Sequence, residues 1–189
     1  KMSKRTQVVG WGMTPDEAKS FFLSQKKTVV TLFGYSSSYE DENAMLERVR
    51  EVISRYSPKT TLVNIGATKG GIGAAYPVVK SMGFTTTGIV TIVALNYPEE
   101  ISPTVDYVCF IEDTQWGGKL PNSSNLSATS QAMVACSDIL IGIGGGKITR
   151  EEAQKLFDLE STADIFDLMS WANRIREHFK GNKIHLCSI

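Results

Sequence analysis

The chain has 189 residues, and its 20 lysines and arginines balance 20 aspartates and glutamates, so the formal net charge is zero. This balance lacks the positive excess that nucleic acid or an anionic membrane attracts, so neither is an expected partner. No apolar run approaches the roughly 20 residues of a membrane span, and the first residues lack the apolar stretch of a signal peptide, so we expect a cytoplasmic location.

Extended and helical patterns alternate along the chain and predict one domain over 1–189. The run Thr14-Pro15-Asp16-Glu17 predicts a helix start, within an N-terminal helical extension over 1–27. Several later runs are apolar at nearly every position, which is typical of parallel strands covered on both faces. Strands are predicted at 28–33, 61–65, 88–94, 107–111, 139–143 and 183–187.

Helical periods separate these strands. Met45, Val49 and Val52 fall on one face of a predicted helix, for which Ser38 and Asp41 form a capping-box start. Further helices are predicted over 73–82, 128–136 and 165–179. The alternation predicts the α/β class, as a three-layer, Rossmann-like open sheet that is mostly parallel, with helices on both faces.

The cysteines and histidines do not indicate a metal site. Cys109, Cys136 and Cys187 lie far apart in apolar stretches, so each is interpreted as a small buried hydrophobic residue in a reducing compartment. His178 and His185 lack the spacing of a zinc site. We therefore expect no metal and no resident cofactor.

Three strand-to-helix junctions are rich in glycine and hydroxyl groups, and parallel strands bring such junctions to one edge of a sheet, where anions bind. Each also has a purely structural interpretation, as a tight turn or a helix cap. The candidate ligand-binding residues are Gly34, Ser36 and Ser37 at the first junction; Gly66, Thr68, Lys69, Gly70, Gly71 and Gly73 at the second; and Gly144, Gly145, Gly146, Lys147 and Thr149 at the third.

The second junction matches neither common phosphate-binding signature. A GxGxxG motif starting at Gly71 would require glycine or alanine at Tyr76, and a Walker A loop would require a Lys-Ser or Lys-Thr pair after its glycines. Small residues and one lysine still favour a phosphate there. The long polar loop over 112–125 adds Trp116, which is a candidate for stacking on a base, with Asn122 or Asn125 reading the edge of that base.

Two junctions resemble motifs of the LOG family, formerly labelled lysine-decarboxylase-like. Ile65 and Ala67 depart from the first motif, and Gly144 and Ile148 depart from the second. The matching residues are Gly66, Gly70 and Gly73 in the first motif, GGGxxGxMG, and Gly145, Gly146, Thr149 and Glu152 in the second, PGGxGTxxE. The resemblance covers a core over 28–157, and a C-terminal helix and strand follow over 158–189.

LOG enzymes hydrolyse the N-glycosidic bond of nucleoside monophosphates, whereas the wider SLOG superfamily also includes nucleotide sensors and carriers. The resemblance implies a homodimer and, in an enzyme, Glu152 as the catalytic carboxylate. The enzymes carry an arginine on the helix before the second motif, where this chain has Thr129. We therefore expect binding of a nucleotide or nucleotide-derived small molecule, as a sensor or carrier. The alternatives are a nucleoside 5'-monophosphate phosphoribohydrolase of LOG type and a molybdenum-cofactor carrier.

Overall fold

Runs of apolar and β-branched residues form the strands of a single sheet. The computed structural model describes residues 6–144. All five pairs of neighbouring strands run parallel, in the order β1-β5-β4-β3-β2-β6. The strands are β1 (Gln7–Met13), β2 (Thr28–Gly34), β3 (Thr61–Ile65), β4 (Thr85–Thr91), β5 (Tyr107–Ile111) and β6 (Ile139–Ile143).

Helices cover both faces of this sheet, as the apolar strands predict. They are α1 (Pro15–Ser24), α2 (Glu42–Ile53), α3 (Ala75–Ser81) and α4 (Ala128–Ala135), with 3-10 turns at Gly71–Ala74, Ile92–Asn96 and Pro98–Glu100. Successive strand residues point to opposite faces, so Val29 and Leu62 pack with α1 and α4, whereas Val30 and Val63 pack with α2 and α3. The predicted three-layer, mostly parallel α/β architecture is confirmed.

The strand order reverses beside β2. From β2 the chain adds β3, β4 and β5 in one direction, and it then returns to place β6 on the other side of β2. In open parallel sheets, ligands bind beyond the carboxyl ends of the strands at such a reversal. The fold therefore directs attention to the residues that follow β2, β3 and β6.

The first strand was not predicted. Gln7–Met13 forms an edge strand beside β5, although the segment 1–27 is expected to be a helical extension. Gly10 and Gly12 interrupt its apolar run, and the pairing with β5 shifts register on both sides of Gly10. An irregular edge strand buries only part of its surface, so its sequence lacks the continuous apolar pattern of the central strands.

Several boundaries differ from those expected, for local reasons. Strand β4 begins at Thr85, three residues early, because the β-branched threonines there extend the strand. The helix predicted from 73 begins as a 3-10 turn at Gly71–Ala74, and Pro77 then occupies the first turn of α3. The helix expected at 165–179 and the strand expected at 183–187 lie outside the described residues.

The helix starts combine confirmed and corrected expectations. Thr14 and Glu17 form the predicted capping box, in which the Glu17 N–H donates to Thr14 Oγ1 over 3.2 Å and the Thr14 N–H donates to Glu17 Oε2 over 2.8 Å. The expectation that Ser38 caps α2 is wrong. Asp41 is the cap, and its Oδ1 accepts from the Ala44 N–H at 2.9 Å.

The described cysteines are small buried residues, as expected. Cys109 and Cys136 are buried and form no disulfide, and burial raises the pKa of each thiol to about 12. Both pack on the α1 and α4 side of the sheet. Cys187 lies outside the described residues. Within residues 6–144, no helix has the length and apolar character that a membrane crossing requires.

Tyr76 links α3 to two strand ends. Its side chain is fully buried, and its hydroxyl accepts from the Ala67 N–H at 3.0 Å and donates to the Thr87 carbonyl at 2.8 Å. Burial raises the pKa of this phenol far above its ordinary value. Because Ala67 adopts a positive φ of 63° without being glycine, this hydrogen bond helps to hold an unfavourable backbone conformation.

We expect Tyr76→Phe to lower the free energy of unfolding by about 1–3 kcal/mol, because it leaves a buried N–H and a buried carbonyl without a partner. Urea denaturation measures the change. Tyr56→Phe is a useful comparison, since Tyr56 is only partly buried at the edge of the core. An equal effect of both substitutions would contradict the role assigned to Tyr76.

Candidate functional site

A cavity of about 620 Å³ opens at the carboxyl ends of β2, β3 and β4, beside the reversal of strand order. Its volume lies within the range of small-molecule sites. Its apolar lining consists chiefly of Leu32, Phe33, Ile65, Ile89, Val90 and Met133. Hydroxyl groups line it at Ser36, Ser37, Thr68 and Thr129. This combination suits a ligand with an apolar body and a few polar groups.

The segment after β2 is fixed by a tyrosine. The Tyr39 hydroxyl accepts from the Tyr35 N–H at 3.1 Å and donates to the Ile143 carbonyl at the end of β6. Burial raises the pKa of Tyr39 to about 12, so it remains a neutral donor. These bonds join the ends of β2 and β6 and leave Ser36 and Ser37 exposed at the cavity.

The segment after β3 packs directly against the one after β2. The Ile72 N–H donates to the Tyr35 carbonyl at 2.8 Å. A Cβ atom on Gly71 would collide with that same carbonyl, and one on Gly73 would collide with the Thr68 carbonyl. Gly71 also has a positive φ of 55°. Gly71 and Gly73 are therefore explained by close packing of the main chain. This agrees with the purely structural interpretation of the junction and does not require a ligand.

Two other glycines of the same segment have no such explanation. A Cβ on Gly66 would meet nothing within 4 Å, and one on Gly70 would lie at an ordinary 3.6 Å from the Ser36 carbonyl. Both residues line the cavity. Side chains at these positions would occupy space that a ligand can use, so Gly66 and Gly70 are the glycines of this segment best suited to contact one.

Lys69 does not line the cavity. Its ammonium group donates to the Glu99 carbonyl at 2.8 Å and lies 3.4 Å from Glu100 Oε1. The main-chain N–H of Lys69 also donates to the Glu100 carbonyl at 2.8 Å, so the residue is held against the Glu99–Glu100 segment. Within the described residues that line the cavity, no side chain is charged. The described lining therefore recognises ligands through hydroxyls, main-chain groups and apolar contacts.

Trp116 lies at the cavity with 48% of its surface exposed, and its ring is 6.1 Å from that of Tyr97. The structure thus places the tryptophan where stacking on a ligand is feasible. Asn122 and Asn125 are exposed and do not line the cavity. The loop folds back on itself there, through an antiparallel bridge between Lys119 and Leu126.

Asp113 caps α4 from a distance. Its Oδ2 accepts from the Thr129 N–H at 2.8 Å, and its Oδ1 accepts from the Gln115 N–H at 2.9 Å. Burial alone would raise the pKa of this carboxyl, but the two N–H donors, with the nearby hydroxyls of Thr129 and Ser127, outweigh burial and lower the pKa. A negative charge therefore already occupies the positive end of α4.

Two hydroxyls beside this carboxylate lack conventional partners. Ser127 and Thr129 are buried, and within the described part of the chain neither hydroxyl makes a hydrogen bond of normal geometry. Only Thr129 lines the cavity. Thr129 is the residue that the motif resemblance aligns with the arginine of the LOG enzymes.

A row of buried polar side chains crosses the sheet next to Met133, which lines the cavity. Thr87 Oγ1 donates to Asn64 Oδ1 at 3.1 Å, and Asn64 Nδ2 donates to Thr31 Oγ1 at 3.2 Å, across three neighbouring strands. Asn64 Nδ2 also lies 3.1 Å from Met133 Sδ, and the Ser137 hydroxyl donates to the Met133 carbonyl at 2.6 Å. Met133 is thus held in place at the cavity.

The third junction lies mostly beyond the described residues. Gly144 is described, with a positive φ of 67°, and it packs against Tyr35 and Tyr39. The remaining candidates, Gly145, Gly146, Lys147, Thr149 and Glu152, lie outside the described residues. Among residues 6–144, no group of three or more histidine, cysteine, aspartate or glutamate side chains has the arrangement of a metal site.

The described architecture matches solved proteins. The molybdenum cofactor carrier protein MCP from Chlamydomonas reinhardtii aligns over 82% of this chain and 86% of its own, with a TM-score of 0.52 and 16% identity. The two chains therefore share a Rossmann-like α/β fold. DNA processing protein A from Streptococcus pneumoniae aligns over 73% of this chain and 50% of its own, with a TM-score of 0.49 and 13% identity.

Sequence comparison gives only short matches. No protein-family model matches the chain. A 47-residue stretch is 49% identical to biotin synthase of Citrifermentans bemidjiense and 51% identical to that of Geotalea uraniireducens. It covers 25% of this chain, and the chain spans only 14% of the length of these curated relatives.

The residues that support the site were not predicted from the sequence. Tyr39, Tyr76 and Asp113 hold the cavity segments in place, yet each acts through a contact with a main-chain group elsewhere in the fold. The available signals were a tyrosine where a dinucleotide motif needs a small residue, and an acid at the start of the long loop. Neither signal identifies its partner.

We expect Asp113→Asn to lower the free energy of unfolding by about 1–2 kcal/mol near neutral pH, because it weakens a charge-assisted cap on α4. The lowered pKa of Asp113 means that this contribution is present above the unfolded-state pKa of about 4 and is lost as the pH falls through the folded-state pKa. Denaturation at pH 7 and below pH 4 measures both values. A difference between wild type and variant that stays constant down to low pH would contradict this role.

Proposed function

We propose that this chain binds a nucleotide-type small molecule in the cavity beyond β2, β3 and β4, and that it serves as a carrier or sensor. The observation that carries the proposal is the cavity itself, about 620 Å³ in volume and located at the reversal of strand order. The shared fold with the molybdenum cofactor carrier protein MCP is consistent with a role in holding a small molecule.

The ligand's phosphate belongs, in this proposal, at the segments after β2 and β3. Ser36, Ser37 and Thr68 provide hydroxyl donors, and Gly66 and Gly70 allow close approach to the main chain. Lys69, predicted as the neutralising cation, is instead paired with Glu100. Phosphate recognition by the described residues therefore depends on neutral donors.

The remainder of the ligand belongs against the apolar wall. Ile89, Val90 and Met133 offer a surface for a ring system, and the exposed Trp116 offers a second one at the opening. A ring bound between these two surfaces would be shielded from water on both of its faces. Homodimerisation remains an implication of the motif resemblance, and a cytoplasmic location remains a prediction of the sequence.

A molybdenum-cofactor carrier is a second candidate, favoured by the fold shared with MCP and by a cavity large enough for a pterin. The two candidates differ in what the purified protein holds. A pterin that copurifies with the chain, and whose absorbance is lost from the protein after denaturation and filtration, supports the cofactor. A nucleotide released under the same conditions supports the first candidate.

The binding proposal is tested by calorimetry with AMP, GMP, CMP, NAD and ADP-ribose. We expect at least one of them to bind, and Gly66→Asp to weaken that binding about 10-fold or more, because the new carboxylate would stand in open space beside the phosphate.

Gly66→Asn is the matched control, because it adds similar bulk without charge. We expect it to weaken binding less than Gly66→Asp does, with both variants folded. Failure of the whole panel to bind to the wild type contradicts the proposal, and equal losses in the two variants would contradict placement of a phosphate at Gly66.

Hydrolysis of a nucleoside 5'-monophosphate is a third candidate, supported by the motif resemblance that contains Glu152. A carboxylate can stabilise the positive charge that develops when an N-glycosidic bond breaks, or it can activate water. We expect an active wild type to release free base and Glu152→Gln to lose at least about 100-fold of that rate. Chromatography after incubation measures the base, and equal rates of release by both proteins would sink this candidate.

A further inference from the structure

The Thr129 hydroxyl is buried, lines the cavity and lies beside the Asp113 carboxylate. Only 5% of the residue is exposed, and its Oγ1 forms no hydrogen bond of normal geometry within residues 6–144. Buried polar side chains nearly always have a partner in a folded protein. The main-chain N–H of Thr129 donates to Asp113, and its hydroxyl helps to lower the pKa of that carboxyl, so the lone pairs of Oγ1 are the part of this residue still available.

The neighbouring carboxylate determines which kind of partner suits this hydroxyl. Asp113 lies behind the first turn of α4 and is buried, and its charge is stabilised by the N–H groups of Thr129 and Gln115. An adjacent negative charge attracts the proton of the Thr129 hydroxyl and leaves its lone pairs for the cavity. The same charge opposes an anionic group at this end of the cavity, where the described lining includes no cation.

The surroundings of Thr129 favour an uncharged ring. Met133 lies one turn further along α4, and Ile89 and Val90 belong to the end of β4; all three line the cavity. Met133 is fixed by contacts of its sulfur with Asn64 and of its carbonyl with Ser137. A flat, apolar ring packs against such a surface, whereas a charged or strongly hydrated group loses its water there.

We infer that Thr129 Oγ1 accepts a hydrogen bond from an N–H donor, such as an exocyclic amino group, on an uncharged flat ring of the ligand. This inference rests on the proposed function because it concerns the same cavity. It also specifies the direction in which the ligand lies in that cavity. The ligand's donor-bearing ring faces α4, and its anionic group faces the segments after β2 and β3.

The test uses free rings without a phosphate. Adenine and purine differ by one amino group, so their affinities, measured by equilibrium dialysis, report the value of that donor. We expect wild type to bind adenine about 10-fold more tightly than purine, the difference that one well-made hydrogen bond in a buried site provides. Thr129→Val keeps the shape of the side chain and removes the hydroxyl, so we expect it to bind the two rings equally.

Ser127→Ala is the matched control. It also removes a buried hydroxyl beside Asp113, but Ser127 is not among the described residues that line the cavity. We expect this variant to keep the preference for adenine. We expect Thr129→Ser, which retains a hydroxyl, to keep most of this preference; if Thr129→Val does not fold, Thr129→Ala, which also removes the hydroxyl, takes its place.

Four outcomes overturn the inference: equal affinities of wild type for adenine and purine, a preference of wild type for purine, no binding of either ring, or a preference for adenine that survives in Thr129→Val. The proposed function fails separately, when no nucleotide of the calorimetry panel binds to the wild type. The two failures are therefore distinguishable, because one is read from the free rings and the other from the nucleotides.

Discussion

The position of the Tyr76 hydroxyl is the constraint on which the cavity depends. It holds the Ala67 N–H and the Thr87 carbonyl together, so the chain leaves β3 at a fixed angle through a residue with positive φ. Gly88 completes this arrangement, because a Cβ there would lie 2.5 Å from the Cβ of Ala67. The space in front of Gly66 exists because the turn is held back against β4.

Charge is arranged around the cavity and not within its described lining. Lys69 binds Glu100, Lys80 binds Asp106 over 2.5 Å, and Asp113 is used by the main chain at the start of α4. Each of these charged groups is paired outside the described lining, so the described cavity wall is neutral. Selectivity in such a wall comes from the direction of hydrogen-bonding groups, because one misplaced donor or acceptor leaves a buried group without a partner.

The central strands could be predicted from the sequence because two-sided burial requires continuous apolar runs, as at Thr61–Ile65 and Ile139–Ile143. The edge strand β1 could not, because a one-sided, irregular strand tolerates Gly10 and Gly12. In the site, the glycine-rich segments could be located from the sequence. The sequence could not show which glycines are required by main-chain packing, as Gly71 and Gly73 are, and which leave space in the cavity, as Gly66 and Gly70 do. That division depends on which backbone lies opposite each Cβ position. Asp113 acts across 16 residues, beyond the reach of any local pattern.

The strand order also bears on how the chain folds. Strand β1 pairs with β5, so the Thr6 hydroxyl bonds to the Val105 carbonyl across 99 residues of sequence, and β6 pairs with β2 across a similar span. Contacts between distant segments form slowly, because the intervening chain must first be ordered. The consecutive strands β2 to β5 with their helices form the local part of the sheet and can assemble first. Both outer strands then join late, and β6 brings with it the carbonyl that Tyr39 requires.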